Sequence, residues 1–291
     1  MILITGATGQ LGQAIIASLR EKGVSAANIA ALVRDEKKAN GLKGSGINIR
    51  VGNYDDTGSL VKAFHGVDKL MFISGSEIPK REQQHLNVVE AAKQADVKYI
   101  VYTSFMRKNE KPDSPIAAVA ASHIVTEESL RKSGIPYSIM KNALYADMLP
   151  IFLGQQVLES GVHFPAGDGS AAYTLREDMA EAAAAILTEE GHANKEYDIA
   201  SGDNHSFSDI ADILSEVSGK NIVYGNLTKE QYVERATRAG LPSAYADVFA
   251  GFGEAIKLGE FATESGQLEE IIGRKPVSLK SYLKNIYQAS N

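Results

Sequence analysis

Ile4-Thr5-Gly6-Ala7-Thr8-Gly9-Gln10-Leu11-Gly12 decides the fold, because it joins the apolar β-branched run Ile2–Thr5 to a helical stretch, Gln10–Lys22. In that stretch Leu11, Ile15, Ile16 and Leu19 fall on one helical face. Each glycine answers a separate need. Gly6 permits the tight turn, Gly9 lets backbone N–H groups approach a pyrophosphate, and Gly12 lets the helix lie close on the strand. The spacing is Gly-x-x-Gly-x-x-Gly rather than Gly-x-Gly-x-x-Gly, and a glycine triplet alone is a weak signal. Its place at the opening of a βαβ unit makes it a dinucleotide site, with Ala7, Thr8, Gln10 and Leu11 supplying the backbone between.

Outward from this loop, short β-branched runs alternate with helical stretches. Strands are expected at Ile29–Val33, Ile47–Val51, Lys69–Ile73, Tyr99–Thr103 and Tyr137–Lys141. Helices are expected near Glu36–Leu42, Ser59–Phe64, Arg81–Gln94 and Ala117–Lys132. That rhythm belongs to an α/β protein with a Rossmann-like, doubly wound parallel sheet. After Asn142 it changes. Pro165-Ala166-Gly167-Asp168-Gly169-Ser170 is a turn cluster, Glu177–Thr188 an Ala-rich helix, and Glu196–Ala200 a strand able to extend the sheet. Ser206-Phe207-Ser208-Asp209 reads as a capping box opening a helix to Ser218, with a further strand at Asn221–Tyr224. The expected division is a cofactor-binding domain at 1–150, rejoined by 176–200, and a smaller, mainly helical substrate lobe at 151–175 and 201–291. Ligands of open α/β sheets bind at the carboxyl edge, between such lobes.

Composition narrows the function. Thirty Lys+Arg against 36 Asp+Glu give a formal charge of −6, which repels phosphate backbones and anionic lipid; no nucleic-acid partner is expected. The absence of Cys excludes disulfides, thiolate nucleophiles, Cys-ligated zinc and iron–sulfur clusters. No metal-ligand spacing and no Gly-x-Ser-x-Gly elbow occurs. No apolar run is long enough to span a membrane, and Met1-Ile2-Leu3-Ile4-Thr5 runs straight into glycines, so a cytoplasmic protein is expected.

The end of the second strand discriminates between dinucleotides. An acid there would bind a ribose 2′-hydroxyl; the sequence instead has Arg34, whose planar paired donors suit a 2′-phosphate, so NADPH is favoured. Ile73-Ser74-Gly75 would pass beneath the ribose and phosphates, and Thr103 and Ser104 offer hydroxyls to the nicotinamide ribose. Tyr137-Ser138-Ile139-Met140-Lys141 matches the Tyr-x-x-x-Lys proton-donor pattern, but that chemistry needs the pair on one helical face. Gly134-Ile135-Pro136 before it makes the segment a strand, placing the two roughly 13 Å apart. The helix Ala117–Lys132 has no Tyr; its His123, with Glu127 four residues on, is the one candidate catalytic or ribose contact.

The assembled residues resemble the NmrA-like atypical short-chain dehydrogenase/reductases, over nearly the whole chain. The resemblance is nearest to the branch of bacterial type 2 NAD(P)H:quinone oxidoreductases and triphenylmethane reductases. It is carried by Thr5–Gly12, Val33-Arg34, Gly52-Asn53-Tyr54, Phe72–Gly75, Tyr102-Thr103, Gly134–Tyr137, Ala166–Gly169 and Leu214–Lys220. Asn142-Ala143-Leu144-Tyr145 together with Thr188-Glu189-Glu190-Gly191-His192 is its most specific part. It implies a Rossmann domain with a small carboxyl lobe and NADPH as cofactor. The glycine loop, Arg34, Ile73–Gly75 and the segment Tyr137–Asn142, including Lys141, would line that cofactor. Asn53 stands where relatives often have Asp beside the adenine.

The group lacks the Tyr/Lys dyad, and this fits a quinone or related aromatic acceptor. Reducing an aliphatic ketone creates an alkoxide that needs a positioned acid, whereas a quinone yields a phenolate-like oxygen of pKa about 10 that water protonates afterwards. Catalysis then reduces to positioning, with Phe105, Tyr145, Met148 and Phe164 as candidate walls of an apolar slot. Two other readings share the fold: a non-catalytic NADP(H)-binding redox sensor acting through a protein partner, and a nucleotide-sugar epimerase-like enzyme, which would need the dyad. The sequence leaves the oligomeric state open, a homodimer being one option.

Overall fold

The computed structural model describes residues 1–39, 41–42 and 44–288. Its strands are β1 (Ile2–Ile4), β2 (Ile29–Val33), β3 (Asn48–Val51), β4 (Lys69–Phe72), β5 (Tyr99–Phe105), β6 (Tyr137–Asn142), β7 (Leu144–Tyr145), β8 (Val162–Phe164), β9 (Ser170–Thr174), β10 (Lys195–Ile199), β11 (Asn204–Ser206) and β12 (Tyr224–Asn226). The helices are α1 (Gln10–Glu21), α2 (Thr57–Phe64), α3 (Ile78–Gln94), α4 (Ala117–Lys132), α5 (Leu149–Leu153), α6 (Val157–Ser160), α7 (Arg176–Thr188), α8 (Phe207–Ser218), α9 (Lys229–Arg238), α10 (Ser243–Lys257), α11 (Gln267–Ile272) and α12 (Leu279–Tyr287).

Seven strands form one parallel sheet in the order β10-β6-β5-β4-β1-β2-β3, the doubly wound arrangement with its reversal between β1 and β4. Because both faces are covered, residues of either parity in the inner strands are apolar. Leu3, Leu32, Leu70, Phe72, Ile100 and Ile139 pack on Leu60, Phe64, Val88 and Leu130 of α2, α3 and α4. Ile4, Ala31, Met71, Val101 and Met140 pack on Leu11, Ile15, Met179 and Ile186 of α1 and α7. Met140 therefore faces α1 and α7, and the next residue, Lys141, points to the opposite side.

The remaining chain encloses a separate core over the carboxyl edge, built around Leu149, Phe164, Tyr173, Phe207, Ile256 and Leu283. Its small sheets are β11-β9-β7 and β12-β8. β7 joins this part of the chain, pairing with β9 rather than with its neighbour β6. Ser206 and Asp209 close a capping box on α8, each side chain bonded to the other's backbone N–H. The expected strand Asn221–Tyr224 lies instead at Tyr224–Asn226, where pairing with Val162–Phe164 sets its register. The expected helix Glu36–Leu42 is one 3-10 turn, Glu36–Ala39; Asn40, within that expectation, lies outside the described residues, as do 289–291. Among the described residues no helix is long and apolar enough to cross a membrane.

Candidate active site

The turn of the glycine loop is closed by a backbone hydrogen bond. Gly6 has φ +59°, a left-handed conformation, and its carbonyl accepts the Gly9 N–H at 2.9 Å. Gly9 caps α1 without any side-chain hydrogen bond, so the first-turn amides of Gln10, Leu11 and Gly12 are left at the positive end of a twelve-residue helix. Such an end is an anion site. Ala7 and Leu11 turn their side chains into the core, and only their backbone can meet a ligand, while Thr8, Gly9 and Gln10 are exposed. Gln13 Nε2 donates to the Thr8 carbonyl at 2.9 Å and steadies the loop from outside.

From this loop a cleft of about 340 Å³ runs across the ends of β2, β3 and β4, bringing Arg34, Asn53, Ile73, Ser74 and Gly75 together with Gly6, Thr8 and Gly9. Arg34 stands at its mouth with its side chain 70% exposed, and Nη1 lies 3.5 Å from Glu77 Oε1. Ser76 and Glu77, from the loop into α3, and Gln84, from its second turn, line the same cleft and carried no sequence signal. Asn53 Oδ1 accepts the Asp55 N–H at 3.2 Å in a local turn. Tyr54 donates its hydroxyl to the Ile73 carbonyl at 2.9 Å, and burial pushes its phenol pKa up, so it stays a donor.

Several expected contacts are turned inward instead. Thr103 Oγ1 accepts the Ser74 N–H at 2.9 Å, so this hydroxyl supports the turn after β4. Ser104 Oγ donates to Glu127 Oε1 at 2.5 Å, within an ion pair in which Glu127 and Arg107 meet at 3.0 Å with almost no exposure. His123 is 4% exposed; its Nδ1 meets the Tyr102 hydroxyl at 2.7 Å and its ring stands edge-on to Phe105. Burial, reinforced by the charge of Arg81, drives its pKa well below the ordinary histidine value and keeps the ring neutral. It does not supply a cationic acid, and Glu127 is bonded to Arg107 rather than to His123.

On β6 the structure separates what sequence grouped. Tyr137 pairs beside Ile100 at the amino end of the sheet, the edge away from the glycine loop, so it cannot share the cleft. Lys141 is tied to Glu196 at 2.9 Å. Asn142, at the carboxyl end, is 2% exposed, and neither its Oδ1 nor its Nδ2 has a partner among the described residues. An unpaired buried amide costs about 1–3 kcal/mol, and a ligand amide would relieve that cost.

Of the four expected walls, Phe105, Tyr145 and Met148 are partly exposed. Arg176 stacks over the Tyr145 ring at 4.2 Å and is ion-paired with Asp147. Phe164 is corrected: it is fully buried, stacked on Phe207 at 4.4 Å inside the lobe core, and does not line the cleft at the glycine loop. A Phe164→Leu variant is accordingly expected to lose about 1–2 kcal/mol of stability in a denaturant titration. Its relative rates with acceptors of different size should be unchanged; a changed acceptor ranking would return Phe164 to the slot.

Residues 1–286 match the family model described as the NmrA-like family. Quinone oxidoreductase 2 of Escherichia coli (strain K12) is 37% identical over 292 residues, covering 100% of both chains. The crystal structure of the Citrobacter sp. triphenylmethane reductase complexed with NADP(H) superposes with a TM-score of 0.90 at 40% identity, over 98% of this chain and 99% of that one. An NADPH-dependent quinone oxidoreductase from Escherichia coli complexed with NADPH also gives 0.90, at 37% identity, over 99% of this chain and 100% of the other.

Proposed function

The chain belongs to the NmrA-like family, and from that premise we propose that it is an NADPH-dependent oxidoreductase that reduces a quinone or a related aromatic acceptor. One observation carries the reading: the loop into the uncapped start of α1 shares its cleft with a phosphate-competent guanidinium, Arg34 after β2, while Asn142 at the carboxyl end of β6 has an amide with no partner among the described residues. These are the parts a phosphorylated dinucleotide needs. The amides of Gln10–Gly12 would hold the pyrophosphate and Arg34 the 2′-phosphate. Asn142 would pair amide to amide with the nicotinamide carboxamide. The 1–150 segment with 176–200 would carry the cofactor, and 151–175 with 201–291 would cover the acceptor.

NADPH, when bound, supplies the hydride; the chain's own work is orientation. Phe105, Tyr145 and Met148 offer partly open apolar surface for a flat acceptor. Tyr137 and Lys141, about 13 Å apart along a strand, form no acid pair, and none is needed when the product oxygen is weakly basic and water can protonate it. The test is the decay of NADPH absorbance with purified protein, with and without a small quinone, and again with NADH. Quinone-dependent decay that prefers NADPH is expected. NADPH binding without turnover on several quinones and a cationic triphenylmethane dye would make the protein a cofactor sensor instead.

A further inference from the structure

Three successive amides at the end of β4 are turned away from the cleft, each onto a side chain behind it. The N–H of Ile73 donates to Thr5 Oγ1 at 2.8 Å, that of Ser74 to Thr103 Oγ1 at 2.9 Å, and that of Gly75 to His85 Nε2 at 2.9 Å. Thr5 follows β1 and Thr103 lies on β5, the two neighbours of β4; His85 comes from α3, where it is fully buried.

The proton on the His85 ring is fixed by its other partner. The Thr126 hydroxyl donates to the Ser122 carbonyl at 2.5 Å, leaving only its lone pairs toward His85 Nδ1 at 2.8 Å. Nδ1 therefore carries the hydrogen and Nε2 the lone pair that Gly75 needs. Besides Thr126, the ring faces the Tyr102 hydroxyl at 3.4 Å and, edge-on, the rings of Tyr54, Phe72 and His123. Arg81, bonded to Ser122 Oγ at 2.7 Å and to the Val119 carbonyl at 2.5 Å, lies one helical turn before it. Burial, with that charge, pushes the His85 pKa down to about 3, so the acceptor survives at any working pH. The turn touches α3 directly: a Cβ on Gly75 would lie 3.4 Å from Gln84 Oε1 and 3.7 Å from His85 Nε2.

We propose that His85 is a positioning residue for the ribose of the bound dinucleotide, fixing the Ser74-Gly75 turn so that it offers the cleft acceptors and no amides. With its N–H groups engaged behind, this backbone can present only carbonyl oxygens, joined by the Ser74 hydroxyl. Ribose hydroxyls are donors and suit such a rim. Phosphates are acceptors and are left to the α1 amides and Arg34. The inference rests on the reading of the cleft as an NADPH site.

Two amide variants separate the two bonds of the ring. The longer side chain of glutamine can place an acceptor where Nε2 was, so His85→Gln keeps the Gly75 bond. The shorter side chain of asparagine can place a donor where Nδ1 was, so His85→Asn keeps the Thr126 bond. NADPH affinity is measured by fluorescence titration, and kcat at saturating NADPH. H85N should raise the NADPH Kd about tenfold with kcat within about twofold, while H85Q stays within about threefold of the parent. Equal shifts in both variants, or none in either, would overturn the assignment, because a merely structural role does not distinguish them. Imidazole ¹⁵N spectra of the unmodified protein give a check that needs no variant to fold: His85 should be the neutral Nδ1–H tautomer, and an Nε2–H ring sinks the proposal. Failure of the unmodified protein to bind NADPH would instead remove the cleft reading itself.

Discussion

Gly12→Ala should unfold the cofactor site rather than merely weaken it. A Cβ at this position would lie 2.3 Å from the Gly6 carbonyl oxygen, 2.8 Å from Ala7 Cα and 2.9 Å from the Gly6 carbonyl carbon. All three are backbone atoms of the glycine loop, so no side chain can rotate away. Either α1 moves off the sheet or the loop opens. The first pulls Leu11, Ile15 and Leu19 out of the core beneath α1; the second displaces the Gly9-capped amides from any phosphate. Overpacking into fixed surroundings costs about 1–3 kcal/mol and sometimes more, and the backbone contacts put this variant at about 3 kcal/mol or above. The NADPH Kd should rise by about two orders of magnitude or more, since the anion site and the packing contact are one structure. Gly266→Ala is the control: among the described residues nothing lies within 4 Å of a Cβ there and φ is −92°, so its stability should change little. A folded Gly12→Ala protein with parental NADPH affinity would refute the close-packing account of the third glycine.

That contact was legible in the sequence because every part of it is local. The glycine spacing, the strand before it and the helix after it span a dozen residues, and periodicity reads such a unit directly. Gly134-Ile135-Pro136 likewise marked Tyr137–Lys141 as a strand, because the glycine and proline stop the preceding helix, bias Ile135 toward extended backbone and lead into a short apolar run. What escaped depends on pairings with no period. Ser104 meets Glu127 and Arg107 across the gap from β5 to α4, and nothing in a hydroxyl at a strand end tells whether it faces a ligand or a buried carboxylate. Phe164 reads the same as a slot wall or a core residue until Phe207, more than forty positions later, is seen stacked on it. His85 lies in mid-helix with the residue type of a satisfied core histidine, and its reach to Gly75 exists only because α3 doubles back over β4. The wider pattern has one cause. Sequence reports which way a local element faces its own neighbours; it is silent on which distant side chain consumes a polar atom.

Arg34→Ala should remove the preference for NADPH and leave the fold intact. The side chain is 70% exposed and its one partner among the described residues, Glu77, sits 3.5 Å away and is 46% exposed itself, so the pair adds little stability in water. Its value would appear on binding. A guanidinium facing a 2′-phosphate forms charge-assisted hydrogen bonds of about 1.5–3 kcal/mol, which sets the expected loss in NADPH kcat/KM at about 10–100-fold. NADH has a hydroxyl at that position, and its kcat/KM should change by about twofold or less. Glu77 supplies a second, opposite test, because a carboxylate beside the phosphate position opposes the same group that Arg34 attracts. Glu77→Gln should therefore tighten NADPH about two- to threefold, most clearly at low ionic strength where screening is weak, with NADH unaffected. The two substitutions act on one phosphate with opposite sign, and in the double variant the gain from Glu77→Gln should persist without restoring what Arg34 supplied. If Arg34→Ala weakened both cofactors equally, Arg34 would be acting on the shared part of the dinucleotide, and the basis for NADPH selection would have to lie elsewhere in the cleft.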